Sequence, residues 1–153
     1  MPNTYTQTNI HAVFAVKGRN NILHKILMEE LCKYMHGIMV NLKQYPLAIS
    51  GHKNHVHLFF EQNPTTSLSD IVEKVKSNSS KWINLNKKIP GHFEWQRGYG
   101  GFSYSRSQRN RVIRYIMNQE KHHQKTTFME EYMAILMNFE IEFDNRYLFE
   151  FYD

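Results

Sequence analysis

The sequence contains few of the residues that cross-link a chain or interrupt helices and strands: its 153 residues include one cysteine, four prolines and seven glycines. A single thiol, Cys32, can form neither an internal disulfide nor a thiolate metal site, which excludes a disulfide-stapled fold. No apolar run approaches the roughly 20 residues of a membrane-spanning helix, and the N-terminus lacks the basic start and apolar core of a signal peptide. We therefore expect a cytoplasmic protein without a membrane segment, in which Cys32 packs inside a helix.

The composition is that of one globular domain. Hydrophobic residues make up 41% of the chain, which argues against disorder, and the length suits a single domain over residues 1–153. Lys and Arg number 19 against 14 Asp and Glu, a net charge of +5. This excess favours an anionic partner, with nucleic acid as the first candidate.

Hydrophobic spacing predicts four strands and four helices. In chain order we expect a strand over 4–16, a turn over 17–21, a helix over 22–40, strands over 44–50 and 55–61, a helix over 67–88, a strand over 93–105, and helices over about 105–123 and 128–137. The first six elements match an α+β fold with a ferredoxin-like split β-α-β antiparallel sheet and helices on one face, followed by a C-terminal helix that carries Tyr115. The core should cover about 5–137, and the aromatic, acidic tail over 138–153 has no assigned role.

Two histidines share one face of the predicted strand over 55–61. Residues two apart on a strand point the same way, so His55 and His57 lie together while Val56 and Leu58 face the helices. On an open sheet face, both rings can present a nitrogen to one divalent transition metal. Taken alone, the same spacing more often belongs to two exposed, hydrogen-bonded histidines.

A third metal ligand is expected on the arginine-rich helix that follows. Tyr115 and Gln119 are four residues apart, so they stack on one helix face and offer a phenol and an amide oxygen. A packing tyrosine and a solvent-facing amide are the ordinary alternative for such a pair.

The ordered combination of these motifs resembles the single-tyrosine HUH transposases of bacterial insertion sequences and repeat-associated elements. The resemblance rests on His55-Val56-His57 and, some sixty residues later, Tyr115-Ile116-x-x-Gln119. Trp95-x-x-Gly98-Tyr99-x-x-Phe102 and the run from Asn118 to His123 are also similar to this family. The similarity extends from about residue 5 to residue 137.

Membership in this family would imply cleavage and rejoining of single-stranded DNA. By position, Tyr115 would be the nucleophile that forms a 5′-phosphotyrosine, and His55, His57 and Gln119 would bind Mg²⁺ or Mn²⁺. The resemblance also implies hairpin-bearing DNA ends as partners and a homodimer, in which the tyrosine helix can act on the partner's histidines. A domesticated relative that cuts repeat hairpins would share all of these features.

Basic residues are concentrated around the predicted tyrosine helix and the helix over 67–88. The candidate DNA contacts are Arg106, Arg109, Arg111, Arg114, Lys74 and Lys81. Three aromatic residues, Tyr99, Phe102 and Tyr104, are candidates for stacking on unpaired bases. Each of these residues also has an ordinary structural explanation, as the solvated side of a helix or as core.

Two other classes of function remain open at this point. A non-catalytic single-strand-binding module can be built on a ferredoxin-like sheet, but it needs neither Tyr115 nor Gln119 beside two histidines. A metalloprotein that acts on small molecules fits the histidine pair, but the net charge and the arginine-rich helix count against it.

Overall fold

Four strands form one antiparallel sheet in the computed structural model, which describes residues 3–18 and 22–152. The strands are β1 (Asn9–Ala15), β2 (Tyr45–His52), β3 (His55–Glu61) and β4 (Gly100–Tyr104), in the spatial order β2-β3-β1-β4. The helices are α1 (Lys25–Asn41), α2 (Leu68–Leu85), α3 (Arg109–Met117), α4 (Gln119–His122) and α5 (Phe128–Asn138). Because β3 lies between β1 and β2, the predicted split β-α-β arrangement is confirmed.

Two strands, β1 and β4, are shorter than predicted, each for its own reason. Asn9 pairs with the last residue of β3 and with the last residue of β4, so the chain before Asn9 has no strand to join. Before β4, Gly98 adopts a φ of 82°, which ends the extended backbone, and Trp95 forms only an isolated bridge with Val16. Of the turn predicted over 17–21, residues 19–21 lie outside the described part of the chain.

The larger core fills the space between the sheet and helices α1 and α2. The sheet contributes alternate residues of β1 and β3 to this core, all of them buried: Ile10, Ala12, Phe14, Val56, Leu58 and Phe60. The Trp95 ring meets Phe14 edge-on, with centroids 4.7 Å apart. No helix in the described residues has the length and apolar character needed to cross a membrane.

The lone cysteine, Cys32, lies partly buried on α1 against this core. Burial raises the pKa of its thiol to about 12, because the thiolate would lose its hydration. At pH 8 we expect the folded protein to react with a thiol-specific aromatic disulfide reagent about 1000-fold more slowly than the denatured chain, in proportion to the thiolate fraction. Equal rates for folded and denatured protein would contradict the packing role.

The opposite face of the sheet is covered as well, although we expected the histidines to lie on an open face. Helix α3 packs Val112 and Ile116 against Phe59 of β3 and Ala48 of β2. Helix α5 approaches β4 so closely that a Cβ at Gly100 would lie 2.6 Å from the Tyr132 hydroxyl. The sheet is therefore sandwiched between helices, and the histidines become interior residues.

The C-terminal tail packs on α5. Phe149 is buried, and its ring lies 4.9 Å from that of Tyr132 and 6.0 Å from that of Phe128, between centroids. The Gln96 side chain donates to the carbonyl oxygen of Glu150 and accepts from its amide, at 2.8 and 2.7 Å. The tail thus holds α5 against the histidine face of the sheet.

Candidate active site

The two histidines of β3 project toward α3 and α5 and are fully buried. Antiparallel pairing places His57 opposite Val13 and His55 opposite Ala15 of β1. His11 of β1 lies on the same face, and its Nε2 is 2.7 Å from His57 Nδ1. The sequence analysis assigned no functional role to His11, but the structure makes it the hydrogen-bond partner of His57 Nδ1.

The orientation of His55 is set from both sides. Its Nδ1 donates to Asn54 Oδ1 at 2.8 Å, and the Phe128 ring stacks flat on the imidazole with centroids 3.9 Å apart. Burial lowers the pKa of His55 to about 4, so the ring is neutral at pH 7. A neutral imidazole with one nitrogen hydrogen-bonded and the other directed into the site is the form in which histidine binds metals.

Tyr115 and Gln119 reach the histidines from the end of α3 and the start of α4. The predicted continuous helix breaks at Asn118, which has φ −105° and ψ 27°. Gln119 is nevertheless buried, and its Oε1 lies 3.1 Å from His55 Nε2. The Tyr115 ring meets His57 edge-on at 5.8 Å between centroids, within the same chain.

The centre of this cluster is Glu131, a residue that the sequence analysis did not single out. It lies in the first turn of α5, whose N-cap Thr127 and Glu130 form a capping box. Its side chain is buried because the apolar side of α5, with Phe128 and Tyr132, faces the sheet. A carboxylate within the apolar stripe of a helix is the sequence signal that could have identified it.

The two oxygens of the Glu131 carboxylate contact different groups. Oε1 lies 3.2 Å from each Nε2 of His55, His57 and His123. Oε2 accepts from Gln119 Nε2 at 3.1 Å and from the Tyr115 hydroxyl. Burial alone would raise the pKa of Glu131, but the surrounding imidazoles, led by His57, hold it well below its usual range when they carry a proton.

The Tyr115 phenol is held in its protonated form. Burial raises its pKa above the ordinary value, and the neighbouring Glu131 carboxylate raises it further by its charge and its hydrogen bond. The hydroxyl donates to the ionised Glu131 carboxylate, which lies within hydrogen-bond reach of its proton. A phenol in contact with such an acceptor is chemically able to act as a nucleophile.

A family model described as "Transposase IS200 like" matches residues 4–119 of the chain, which include His55, His57, Tyr115 and Gln119. The chain belongs to the IS200-like transposase family. The matched region ends before His122, His123 and Glu131.

Solved structures share the fold of this transposase. A protein of Deinococcus radiodurans R1, described provisionally as a transposase, aligns with a TM-score of 0.61 and 22% identity over 76% of this chain and 94% of its own. A REP-associated tyrosine transposase bound to a REP hairpin aligns with a TM-score of 0.59 and 11% identity over 79% of this chain and 72% of its own. No curated protein matched the sequence.

The transposase holds two overlapping groups of side chains that could bind a metal ion. Ligand atoms of His55, His57 and Glu131 lie within 4.8 Å of one another, as do those of His122, His123 and Glu131. Imidazole nitrogens with one carboxylate oxygen suit divalent transition metals. The buried His122 Nε2 makes no hydrogen bond within the described residues and lies 3.3 Å from Glu131 Oε2. The donor set therefore fits a cation.

The basic residues predicted to contact DNA differ in their surroundings. Arg106, Arg111 and Arg114 are exposed around α3. Arg109 instead donates to Asn9 Oδ1 at 2.9 Å and forms an ion pair with Glu61, which fastens α3 to the sheet. Lys74 and Lys81 are exposed on α2, in the helix layer on the opposite face of the sheet from the histidines.

The aromatic residues considered for base stacking are not equally accessible. Phe102 is buried, with its ring 5.9 Å from His11 and 5.0 Å from Phe139 between centroids, so no face is left for a base. Tyr99 and Tyr104 are half-buried. Phe102 is therefore a packing residue of the histidine face.

Proposed function

We propose that the transposase cleaves and rejoins single-stranded DNA in the cytoplasm through a 5′-phosphotyrosine on Tyr115. The observation that carries this proposal is the position of the Tyr115 hydroxyl, which donates to a buried carboxylate beside His55 and His57. A binding module without catalysis gains nothing from a phenol buried against a carboxylate, since each must give up hydration.

A divalent cation, Mg²⁺ or Mn²⁺, would be held by His55, His57, Gln119 and Glu131. When bound, it supplies positive charge that stabilises the developing negative charge on a phosphate. The four side chains meet in one buried cluster, as described above, and burial keeps the His55 imidazole neutral and available as a ligand.

The chain's own residues account for the nucleophile and its proton. The Tyr115 oxygen forms a bond to phosphorus while the bond from phosphorus to the 3′ oxygen breaks. The phenolic proton passes to Glu131 Oε2, which already accepts it in a hydrogen bond. The departing 3′ oxygen takes a proton from solvent. Because the phosphotyrosine diester conserves the energy of the broken DNA diester bond, a 3′-hydroxyl can reverse the step and rejoin DNA without ATP.

DNA would approach over the exposed arginines of α3. We propose Arg106, Arg111 and Arg114 as phosphate contacts, because they are exposed beside the tyrosine helix. Arg109 contributes by fixing that helix to Asn9 and Glu61. Lys74 and Lys81 form a second basic surface on α2. Because α2 lies on the opposite face of the sheet from the histidines, a hairpin stem bound there would lie away from the cleavage site.

The test is capture of the covalent intermediate on full-length protein. A library of hairpin-bearing single strands with randomised flanks is incubated with Mn²⁺ and analysed under denaturing conditions. A 3′ label should move with the protein, while a 5′ label should appear in a shortened strand that ends in a 3′-hydroxyl. Trypsin should place the nucleotide on the peptide from Tyr115 to Lys121, which has a single tyrosine. Binding of the library without any covalent product, or attachment to another peptide, would contradict the proposal.

We further propose a homodimer in which each site is completed within one chain, since Tyr115 already lies at its own chain's Glu131 and His57. Equal mixing and exchange of Tyr115→Phe and His57→Ala subunits should then yield no covalent product above that of either variant alone. If the tyrosine acts on the partner's histidines, the mixture should recover about a quarter of the wild-type sites, because half of the dimers are mixed and each regains one site. Covalent product measured at equal total protein separates the two arrangements.

A further inference from the structure

The hydrogen bond at His123 Nδ1 determines which nitrogen of that ring carries the proton. His123 Nδ1 lies 2.7 Å from the backbone carbonyl oxygen of Thr126. A carbonyl oxygen can only accept, so Nδ1 is the donor and bears the hydrogen. In a neutral imidazole, the other nitrogen, Nε2, is then a bare lone pair.

The Nε2 atom of His123 is directed at two oxygen atoms. It lies 3.0 Å from Gln119 Oε1 and 3.2 Å from Glu131 Oε1. The Gln119 amide is oriented by Glu131, because its Nε2 donates to Glu131 Oε2 at 3.1 Å, and turning the amide would place its oxygen against that carboxylate. Three electron-rich atoms therefore face one another at hydrogen-bond distance, an arrangement that a positive charge, on a proton or a metal ion, makes favourable.

His55 repeats this arrangement beside His123. Its Nδ1 donates to Asn54 Oδ1, and its Nε2 lies 3.1 Å from Gln119 Oε1 and 3.2 Å from Glu131 Oε1. The His55 and His123 rings lie 4.7 Å apart between centroids, so both present their lone pairs to the same two oxygens. In each ring, an acceptor on Nδ1 orients Nε2, as the outer partners of metal-bound histidines do.

We propose that His123, which belongs to the group of His122 and Glu131, also binds the cation of His55, His57 and Glu131, so that the two groups sharing Glu131 form one metal site. This inference rests on the metal-dependent function proposed above. One cation among these atoms would convert each contact between lone pairs into an attraction. His123 and Glu131 both lie beyond the region matched by the family model, which ends at residue 119.

A third imidazole changes which metal the site prefers. Mg²⁺ favours oxygen ligands and keeps much of its water, whereas imidazole suits Mn²⁺, Co²⁺ and Zn²⁺. Three ring nitrogens with one carboxylate and one amide oxygen make a nitrogen-rich site. The proposal therefore expects a transition metal to bind much more tightly than Mg²⁺.

Cobalt is a suitable probe because its visible absorption reports on its ligands. The full-length protein is titrated with Co²⁺ as wild type, His123→Ala and His92→Ala, the last being an exposed histidine outside the cluster. Loss of a ligand should weaken Co²⁺ binding by more than the roughly 10–100-fold that loss of an outer partner costs. His92→Ala should bind as wild type does, and a large excess of Mg²⁺ should leave the wild-type spectrum unchanged.

A His57→Ala arm separates failure of this inference from failure of the proposed function. If His57→Ala loses Co²⁺ while His123→Ala keeps the wild-type affinity and spectrum, His123 only forms an ion pair with Glu131 and the inference is wrong. If neither variant differs from wild type, the metal centre of the proposed function is wrong as well.

A cysteine at the same position keeps the test decisive should His123→Ala fail to fold. Sulfur bound to Co²⁺ gives a charge-transfer band in the near ultraviolet, so His123→Cys should gain this band on titration. Cys32 cannot supply it, since it lies on α1 and is also present in the wild type. Saturation of His123→Cys without the new band would overturn the assignment.

Discussion

Tyr115→Phe is expected to abolish covalent attachment to DNA and strand cleavage, by at least about 10⁴-fold, as removal of a catalytic nucleophile does in other enzymes. The substitution removes only the hydroxyl that donates to Glu131 and leaves the ring beside His57. No other hydroxyl is held against that carboxylate among the described hydrogen bonds, so no side chain is placed to replace it. Covalent product on the 3′-labelled library measures the effect.

Tyr104→Phe is the matched control for this prediction. Tyr104 is a half-buried tyrosine on the same face of the sheet, with its ring 6.1 Å from His11 between centroids. Its removal should leave cleavage largely intact. Tyr115→Phe should lose about 1–3 kcal/mol of unfolding free energy with its hydrogen bond to a charged group, and it should still bind the library. Cleavage by Tyr115→Phe at a rate near that of wild type would assign the nucleophile elsewhere.

The fold was predictable where the signals are local. The alternation of hydrophobic and polar residues predicted the observed bounds of β3, His55–Glu61. The helix predicted to begin at residue 67 is capped by Ser67, whose side chain accepts from the Asp70 amide at 3.1 Å. The break at Asn118 was missed because hydrophobic spacing continues through it. Coverage of the histidine face was missed because it depends on how α3 and α5 return to the sheet.

The same difference between local signals and tertiary packing separates the site residues that the sequence predicted from those that it did not. His55, His57, Tyr115 and Gln119 stand in short motifs, so spacing alone brought them forward as candidates. Glu131 and His123 could not be identified from spacing, because they reach the site only when α5 and the segment before it pack on β3. A glutamate between Phe128 and Tyr132 on the buried side of α5 is unusual, because a buried carboxylate needs polar partners. Spacing along the chain does not identify those partners.

Glu131→Gln is expected to reduce cleavage by about 10²–10⁴-fold, the range associated with loss of general acid–base catalysis. Glutamine has nearly the same size, so the packing beneath Phe128 and Tyr132 is preserved. A neutral amide cannot take up the Tyr115 proton, which now passes to an ionised carboxylate. It also presents one oxygen instead of two to a cation, so binding of Mn²⁺ should weaken in parallel.

Glu130→Gln, at the adjacent residue, is the control, because Glu130 is exposed and its hydrogen bonds within the described part of the chain all belong to the capping box with Thr127. Its cleavage rate should match that of wild type. The metal-free Glu131→Gln protein should also lose part of the acid sensitivity of folding. The folded-state pKa of Glu131 lies below its unfolded value, so its contribution to stability is present above about pH 4.3 and is lost as pH falls below it. A Glu131→Gln protein that cleaves at the wild-type rate would remove the carboxylate from the mechanism and leave it a purely structural partner of the histidines.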